Sequence, residues 1–297
     1  MFERELCKHP QVSHVSYSPH TYNETHHWLK AACVLKLPDS EFFGGKIYRG
    51  YGSRSGARKY LIDCIKGNIP DFVVPPDDET LVFEGWNALC HRFARPVFFE
   101  KSPQYLPHWG CLSLILRWLE TSEFNVRFIG LVRNPMAVQY SAIKAFSTKA
   151  EMRQFGWAQA YRNMLAFKDM AGEERFFLIR YEDLIEQPRE VFGDVCAFIG
   201  LEPCEEIAKQ VHKDSVNKWR DDPWFSLQLK PSVVQIARHF GYKDEDFFNP
   251  PKPEMPFAKK LSEGLGDFYK LTRHRFINRF IKPHLLPILR SAKLRLK

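Results

Sequence analysis

Apolar positions in the middle of the chain alternate between short continuous runs and helical spacing. Pro96 to Glu100 (P-V-F-F-E), Val126 to Val132 (V-R-F-I-G-L-V) and Phe176 to Ile179 (F-F-L-I) have strand length and are rich in aromatic and branched residues, which predicts buried strands. Helical patterns follow each of them. Asn134 and Pro135 mark a helix start, because a proline in the first turn lacks only an N–H that has no intrahelical partner there. Farther on, Val191, Val195 and Ile199 share one helical face and Gly200 is placed to close that helix. A strand–helix–strand–helix order predicts an α/β fold with a mainly parallel sheet and helices on both faces.

Prolines punctuate this pattern. Pro70 to Pro76 run into Asp77-Asp78-Glu79, and Pro250, Pro251, Pro253 and Pro256 are too dense for a helix or a central strand. The second cluster divides the chain into a main domain, 1–255, and a C-terminal segment, 256–297. Charge follows the same division. The net charge is +8, yet the last 42 residues carry eleven Lys or Arg against Glu263 and Asp267, leaving about −1 for everything before them. Basicity therefore gives no argument for an anionic substrate in the main domain. In the tail, Phe276, Ile277, Phe280 and Ile281 fall on one helical face among Arg273, Arg275, Arg279 and Lys282. Such an amphipathic basic segment either docks on the main domain or holds residues 270–297 against an anionic membrane surface; nucleic acid is not the expected partner.

Seven cysteines without C-x-x-C spacing argue against a disulfide framework or zinc cluster, and they fit a reducing compartment. The longest apolar runs are too short for a membrane span, and the opening M-F-E-R-E-L is not a secretory leader. The expected location is cytoplasmic, with peripheral attachment to the inner membrane face and an anchor ahead of Met1 left open.

The segment Phe128 to Ser141 (F-I-G-L-V-R-N-P-M-A-V-Q-Y-S) carries the clearest chemistry. A buried strand delivers Arg133 at its carboxyl end, and a helix beginning at Asn134-Pro135 aims backbone N–H groups at the same place. A phosphate there would meet a guanidinium fork, a helix dipole and the Ser141 hydroxyl. Read locally, Arg133 pairing with a carboxylate and Ser141 packing is an equal alternative.

Arg133-Asn134-Pro135 with Ser141 resembles the 3′-phosphate-binding motif of sulfotransferases that use 3′-phosphoadenosine 5′-phosphosulfate (PAPS). Further resemblances occur in family order. Phe99-Glu-Lys-Ser-Pro103 is similar to the E-K-[ST]-P element of glycan and bacterial members, Arg180-Tyr-Glu-Asp-Leu184 with Pro188 to the Y-E-D-L segment, and Ser215 to Arg220 with Gly241-Tyr242 to the C-terminal phosphate-contacting segment. Nearer the start, Phe2 to Pro10 resembles the helix and His-Pro turn behind the family's phosphosulfate loop, and Tyr22 to Trp28 the E-x-H-F-F element of heparan-type members. The resemblance implies a P-loop NTPase-like sheet flanked by helices, whose first strand and phosphosulfate loop would lie ahead of Met1. A mis-assigned start is the expected reason.

The same resemblance implies roles. PAPS is the co-substrate, with no metal. Arg133, Ser141, Lys218 and Arg220 would take its 3′-phosphate, and Tyr181 would lie by its adenine. Glu24 would be the catalytic base, with His26 or His27 substituting for it or orienting it. Lys101 would aim a cation at the sulfuryl oxygens or the acceptor. Each has a plainer alternative: an exposed Glu24, a surface His pair, Lys101 paired with Glu100 or another acid, a packing Tyr181, a solvated basic loop at Lys218 and Arg220. The E-x-H and E-K-S-P elements lean toward a carbohydrate or carbohydrate-bearing lipid, sulfated on a hydroxyl or amine. Gly50 to Lys59 imitates a phosphate loop, but its glycines fit neither G-x-G-x-x-G nor G-x-x-x-x-G-K-[ST]. The rival functions are a nucleotide- or glycan-binding module without catalysis, and a kinase, which lacks its G-K-[ST] loop.

Overall fold

The computed structural model describes residues 1–20, 24–37, 53–146, 150–211, 216–259, 261, 265–266 and 272. Gly50 to Gly52 and, apart from Thr272, the basic segment 270–297 lie outside the described residues.

Among the described residues, four parallel strands form two ladders. β1 (Val12–Ser13) pairs with β2 (Val97–Phe98), and β3 (Phe128–Val132) pairs with β4 (Phe176–Arg180), Val132 lying opposite Arg180. The three strands read from the sequence are present and parallel. β2 is shorter than its apolar run because its partner offers only two residues for pairing. The sequence reading missed β1, whose two residues carry no strand periodicity. Side chains alternate across all four strands, with a period of two. Val12, Val97, Phe99, Ile129, Leu131, Phe177 and Ile179 face one core cluster, while Phe98, Phe128 and Phe176 face another.

The first face is covered by α1 (Phe2–Leu6) and α9 (Pro188–Phe198), with α8 (Tyr181–Glu186) leading into α9. Val191, Val195 and Ile199 pack here. Gly200, at φ 75°, closes α9 in the left-handed conformation that a glycine adopts without a Cβ clash, as expected.

The second face is covered by α2 (His27–Val34), α3 (Arg54–Asn68), α4 (Asp78–Phe93) and α5 (Trp109–Thr121). All eight residues of α2 are buried, so this helix has no solvent face. Trp28 anchors it, 5.4 Å from the Trp86 ring and 5.9 Å from that of Trp118. Burying a ring of this kind is worth about 2–3 kcal/mol. Lys30 is fully buried in the same helix, its ammonium 5.3 Å from the Tyr60 ring centre. Burial lowers its pKa to about 8. The acidic run after Pro76 works as a helix start: Asp77 accepts the Thr80 N–H at 2.7 Å.

α6 (Pro135–Phe146) follows β3, and α7 (Ala150–Ala171) runs back along that strand, Trp157 meeting residue 133 and Phe167 meeting Phe128. Gly130 permits the approach, since a Cβ there would meet Leu178 at 2.6 Å and the Met164 sulfur at 2.9 Å. From α7, Tyr161 donates to the Leu131 carbonyl at 3.1 Å, and Trp157 donates to that of Arg133 at 3.2 Å. Residues 131 and 133 present their carbonyls to the same side of the strand. The C-terminal half adds α10 (Lys218–Asp221), α11 (Pro231–Arg238) and α12 (Asp244–Phe247). No helix among the described residues is long and apolar enough to cross a membrane.

Candidate active site

Two side-chain clusters form at the carboxyl ends of the strands. The first gathers Glu24, His26 and Lys101. Lys101 follows β2, Glu24 precedes α2, and His26 is the N-cap of α2 in the left-handed region at φ 48°, ψ 25°. A non-glycine residue there carries about 1 kcal/mol or more of strain, which surrounding bonds must hold. The His26 N–H donates to the Ser102 hydroxyl at 3.2 Å; Ser102 in turn donates to Glu100. Thr25, between the two site residues, donates its hydroxyl to Glu100 at 2.7 Å. Glu100 is thus the acceptor that fixes the turn, and Lys101 does not pair with it. Burial raises the Glu100 pKa against the lowering effect of the Ser102 and Thr25 hydrogen bonds.

The turn sets His26 Nε2 2.8 Å from Glu24 Oε2, while Lys101 Nζ lies 2.8 Å from Glu24 Oε1 and 3.1 Å from Glu3. Burial pushes the Glu24 carboxyl up, but the His26 and Lys101 bonds outweigh it and hold it at about 2. Glu24 is therefore buried and ionised rather than an exposed loop acid. His27 faces away, donating to the Val82 carbonyl at 2.9 Å and packing on Trp86. Burial lowers its pKa to about 4, so it is a neutral core residue. His20, which the sequence reading did not single out, also reaches this cluster: the ligand atoms of His20, Glu24 and His26 lie within 4.8 Å of one another. Its sequence signal was a histidine one helical turn's spacing before the glutamate.

The second cluster follows from strand register. Because Val132 pairs with Arg180, the next residues, Arg133 and Tyr181, leave β3 and β4 side by side, and the guanidinium sits 4.5 Å from the Tyr181 ring centre. Asn134 starts α6 with its side chain, which accepts the Met136 N–H at 2.8 Å. Ser141 is exposed on α6. Glu182 binds the Asn134 N–H and the Tyr242 hydroxyl, a role no sequence motif disclosed.

Lys218 and Arg220 are carried to α6 by Trp219, which is buried against Met136 and Ala137. Arg220 gives its guanidinium to the carbonyls of Glu245 and Asp246, at 3.0 and 3.2 Å, and Asn134 donates to the same Asp246 carbonyl at 2.9 Å. Lys218 is exposed beside it. A guanidinium over an aromatic face at a helix start suits an anionic group, with Ser141 and Lys218 exposed on the neighbouring segments.

A model described as the Sulfotransferase family matches residues 3–206. The sulfotransferase domain of the Synechococcus PCC 7002 olefin synthase is 19% identical, with a TM-score of 0.54 over 82% of this chain and 90% of that one. A sulfotransferase domain from the curacin biosynthetic pathway gives 18% and 0.49 over 78% and 97%, and a sulfotransferase from Alicyclobacillus acidocaldarius gives 18% and 0.36 over 80% and 84%. No curated protein sequence matches. The olefin synthase domain shares the fold, and the family model covers well over half of the chain: this protein belongs to the sulfotransferase family.

Proposed function

We propose that the protein transfers a sulfuryl group from PAPS to a hydroxyl or amine of an acceptor, a carbohydrate or a carbohydrate-bearing lipid. The observation that carries this reading is Glu24, a buried carboxylate bonded to both His26 and Lys101 at the end of β2. In the transfer, the acceptor heteroatom forms a bond to sulfur as the sulfur–oxygen bond to the 5′-phosphate breaks. The acceptor proton passes to Glu24, and adenosine 3′,5′-bisphosphate leaves. Positioning and charge stabilisation dominate such an in-line displacement.

A carboxyl held at about 2 is a weak base. Lys101 resolves the difficulty because it divides its ammonium between Glu24 and Glu3. When it turns toward sulfuryl oxygens, Glu24 loses its cation and gains basicity as the proton must be taken. Arg133, Ser141 and Lys218 take the donor's 3′-phosphate and Tyr181 its adenine, while Arg220 braces the turn. Residues 1–255 form the catalytic domain in this reading and 256–297 a basic appendage, in a protein that works in the cytoplasm, at the inner membrane face when the tail is engaged.

Calorimetry with adenosine 3′,5′-bisphosphate and transfer of radiolabel from PAPS to carbohydrate acceptors test the assignment. Arg133→Ala is expected to weaken bisphosphate binding by about 1.5–3 kcal/mol, as for a charge-assisted contact. Unchanged affinity removes Arg133 from the site. In a form extended ahead of Met1 through the expected strand and phosphosulfate loop, tight binding without transfer to any acceptor makes the protein a nucleotide- or glycan-binding module instead.

A further inference from the structure

The first cluster holds more ligating atoms than proton transfer needs. His26 Nε2 lies 2.8 Å from Glu24 Oε2, and His20 Nδ1 lies 3.6 Å from the same oxygen. The two imidazole rings are 4.4 Å apart at 36°, so both close over one carboxylate oxygen. Tetrahedral zinc with bonds of about 2.0–2.1 Å sets its ligand atoms about 3.3 Å apart. The His20–Glu24 separation already matches, and the His26–Glu24 separation needs to open by about half an ångström. Two neutral imidazoles and a carboxylate are the ligand set of many zinc sites that keep a fourth position for water.

Lys101 raises the obvious electrostatic objection, since its ammonium touches the same carboxylate. It touches the other oxygen, however, and Glu3 shares its charge. With the imidazoles neutral, Glu3, Glu24 and Lys101 sum to one negative charge. An ammonium on Oε1 is the kind of outer partner that keeps a ligating carboxylate monodentate through Oε2. The ligands are also held in advance: His26 by the Ser102–Glu100 bonds and its N-cap position, and Glu24 by the Ser18 hydroxyl, which donates to its carbonyl at 2.6 Å.

We propose that His20, Glu24 and His26 form a three-ligand site for Zn²⁺, and that zinc held there takes the Glu24 carboxylate out of use. The binding claim stands on the geometry alone; the inhibitory claim rests on Glu24 being the base. Zinc would then act as a reversible competitor of proton transfer, displacing no donor and occupying no part of the Arg133–Tyr181 cluster.

The test is titration of the full chain with Zn²⁺ against a chromophoric chelator, repeated with Co²⁺, whose visible absorption distinguishes a four- or five-coordinate site from the hydrated ion. One equivalent is expected to bind, and His20→Ala to weaken it at least tenfold, while His91→Ala, at a surface histidine paired with Glu123, leaves it unchanged. His20→Gln serves if the alanine variant fails to fold, with folding followed by circular dichroism. Absence of an equivalent outcompeting the chelator, or equal binding by the His20 variants, overturns the site. Sulfuryl transfer by the same samples separates the two claims. Zinc that binds in a His20-dependent way yet leaves turnover unchanged removes Glu24 as base and with it the inhibitory claim, whereas turnover restored by chelation and insensitive to zinc in His20→Ala supports both.

Discussion

Glu182 accepts the backbone N–H of Asn134 at 3.1 Å with one oxygen, while its other oxygen accepts the Tyr242 hydroxyl at 2.6 Å. One carboxylate thereby joins three segments far apart in the sequence: the Arg133-Asn134-Pro135 turn, the end of β4, and the Gly241-Tyr242 corner. Arg180 reinforces the junction, 4.9 Å from the Tyr242 ring centre. Losing a hydrogen bond to a charged group costs about 1.5–3 kcal/mol. Tyr242→Phe is therefore expected to lower unfolding stability by about that amount in urea titrations, and to weaken bisphosphate binding with it, because the α6 start is no longer pinned. A variant that loses stability but binds as the parent would confine Glu182 to a structural role.

Arg133 and Tyr181 allow ring and hydroxyl to be separated. Tyr181→Phe keeps the aromatic face and should bind adenosine 3′,5′-bisphosphate as the parent does. Tyr181→Ala removes the face and should weaken binding by about 1–2 kcal/mol in calorimetry, from lost stacking and cation–π contact together. Equal affinities for all three proteins would place the adenine elsewhere.

Glu24→Gln keeps the side chain's shape and loses only the proton acceptor. In a form extended through the expected phosphosulfate loop, turnover should fall about a hundredfold or more with bisphosphate affinity nearly intact. If His26→Ala shows this pattern and Glu24→Gln does not, His26 is the base. Lys101→Met should raise the Glu24 pKa from about 2 toward the ordinary carboxylate range, because an opposing charge and a hydrogen bond are both removed. Carbon NMR of labelled glutamate reads that shift directly.

His27 predicts a pH dependence. Its pKa lies at about 4 when folded, below the usual 6.5, so the unfolded chain binds the extra proton between these values. Stability from this residue is complete above pH 6.5 and declines as the pH falls toward 4, by about 3 kcal/mol in all at 1.36 kcal/mol per unit. Melting curves of the parent and His27→Gln should converge across that window. Parallel curves would mean that another group governs the acid slope.

The tail is testable without reference to the site. Nine basic residues from Lys270 onward, with no acid among them, should bind anionic vesicles in a salt-sensitive way, at about 1 kcal/mol per Lys or Arg near the surface. Truncation after Met255 should abolish that binding. A truncation that leaves vesicles unbound by either protein but lowers the melting temperature assigns the apolar face to the catalytic domain instead.

The strands were legible because β2, β3 and β4 have apolar runs of strand length, and α6 because Asn134-Pro135 is a local start signal. β1 was not, since two residues gain strand character only from their partner. At the site, Arg133 and Tyr181 could be nominated from motifs, yet their adjacency is a product of register between strands 48 residues apart. Arg220 illustrates the limit of reading charge from sequence: a guanidinium that could take a phosphate is committed to two backbone carbonyls. Glu182 and His20 escaped notice for a related reason, their partners being set by tertiary contact rather than by spacing.

Thr25 joins two acids that respond to protons in opposite ways. Glu100, pushed up by burial, favours the folded chain once it is neutral, and that contribution vanishes as rising pH ionises it; Glu24, held at about 2, favours the folded chain only while charged. On acidification Glu100 takes its proton before Glu24 does. The two acids that Thr25 links therefore pull the turn's stability in opposite directions along the pH scale, and protonation cannot strengthen one of them without, further down, weakening the other.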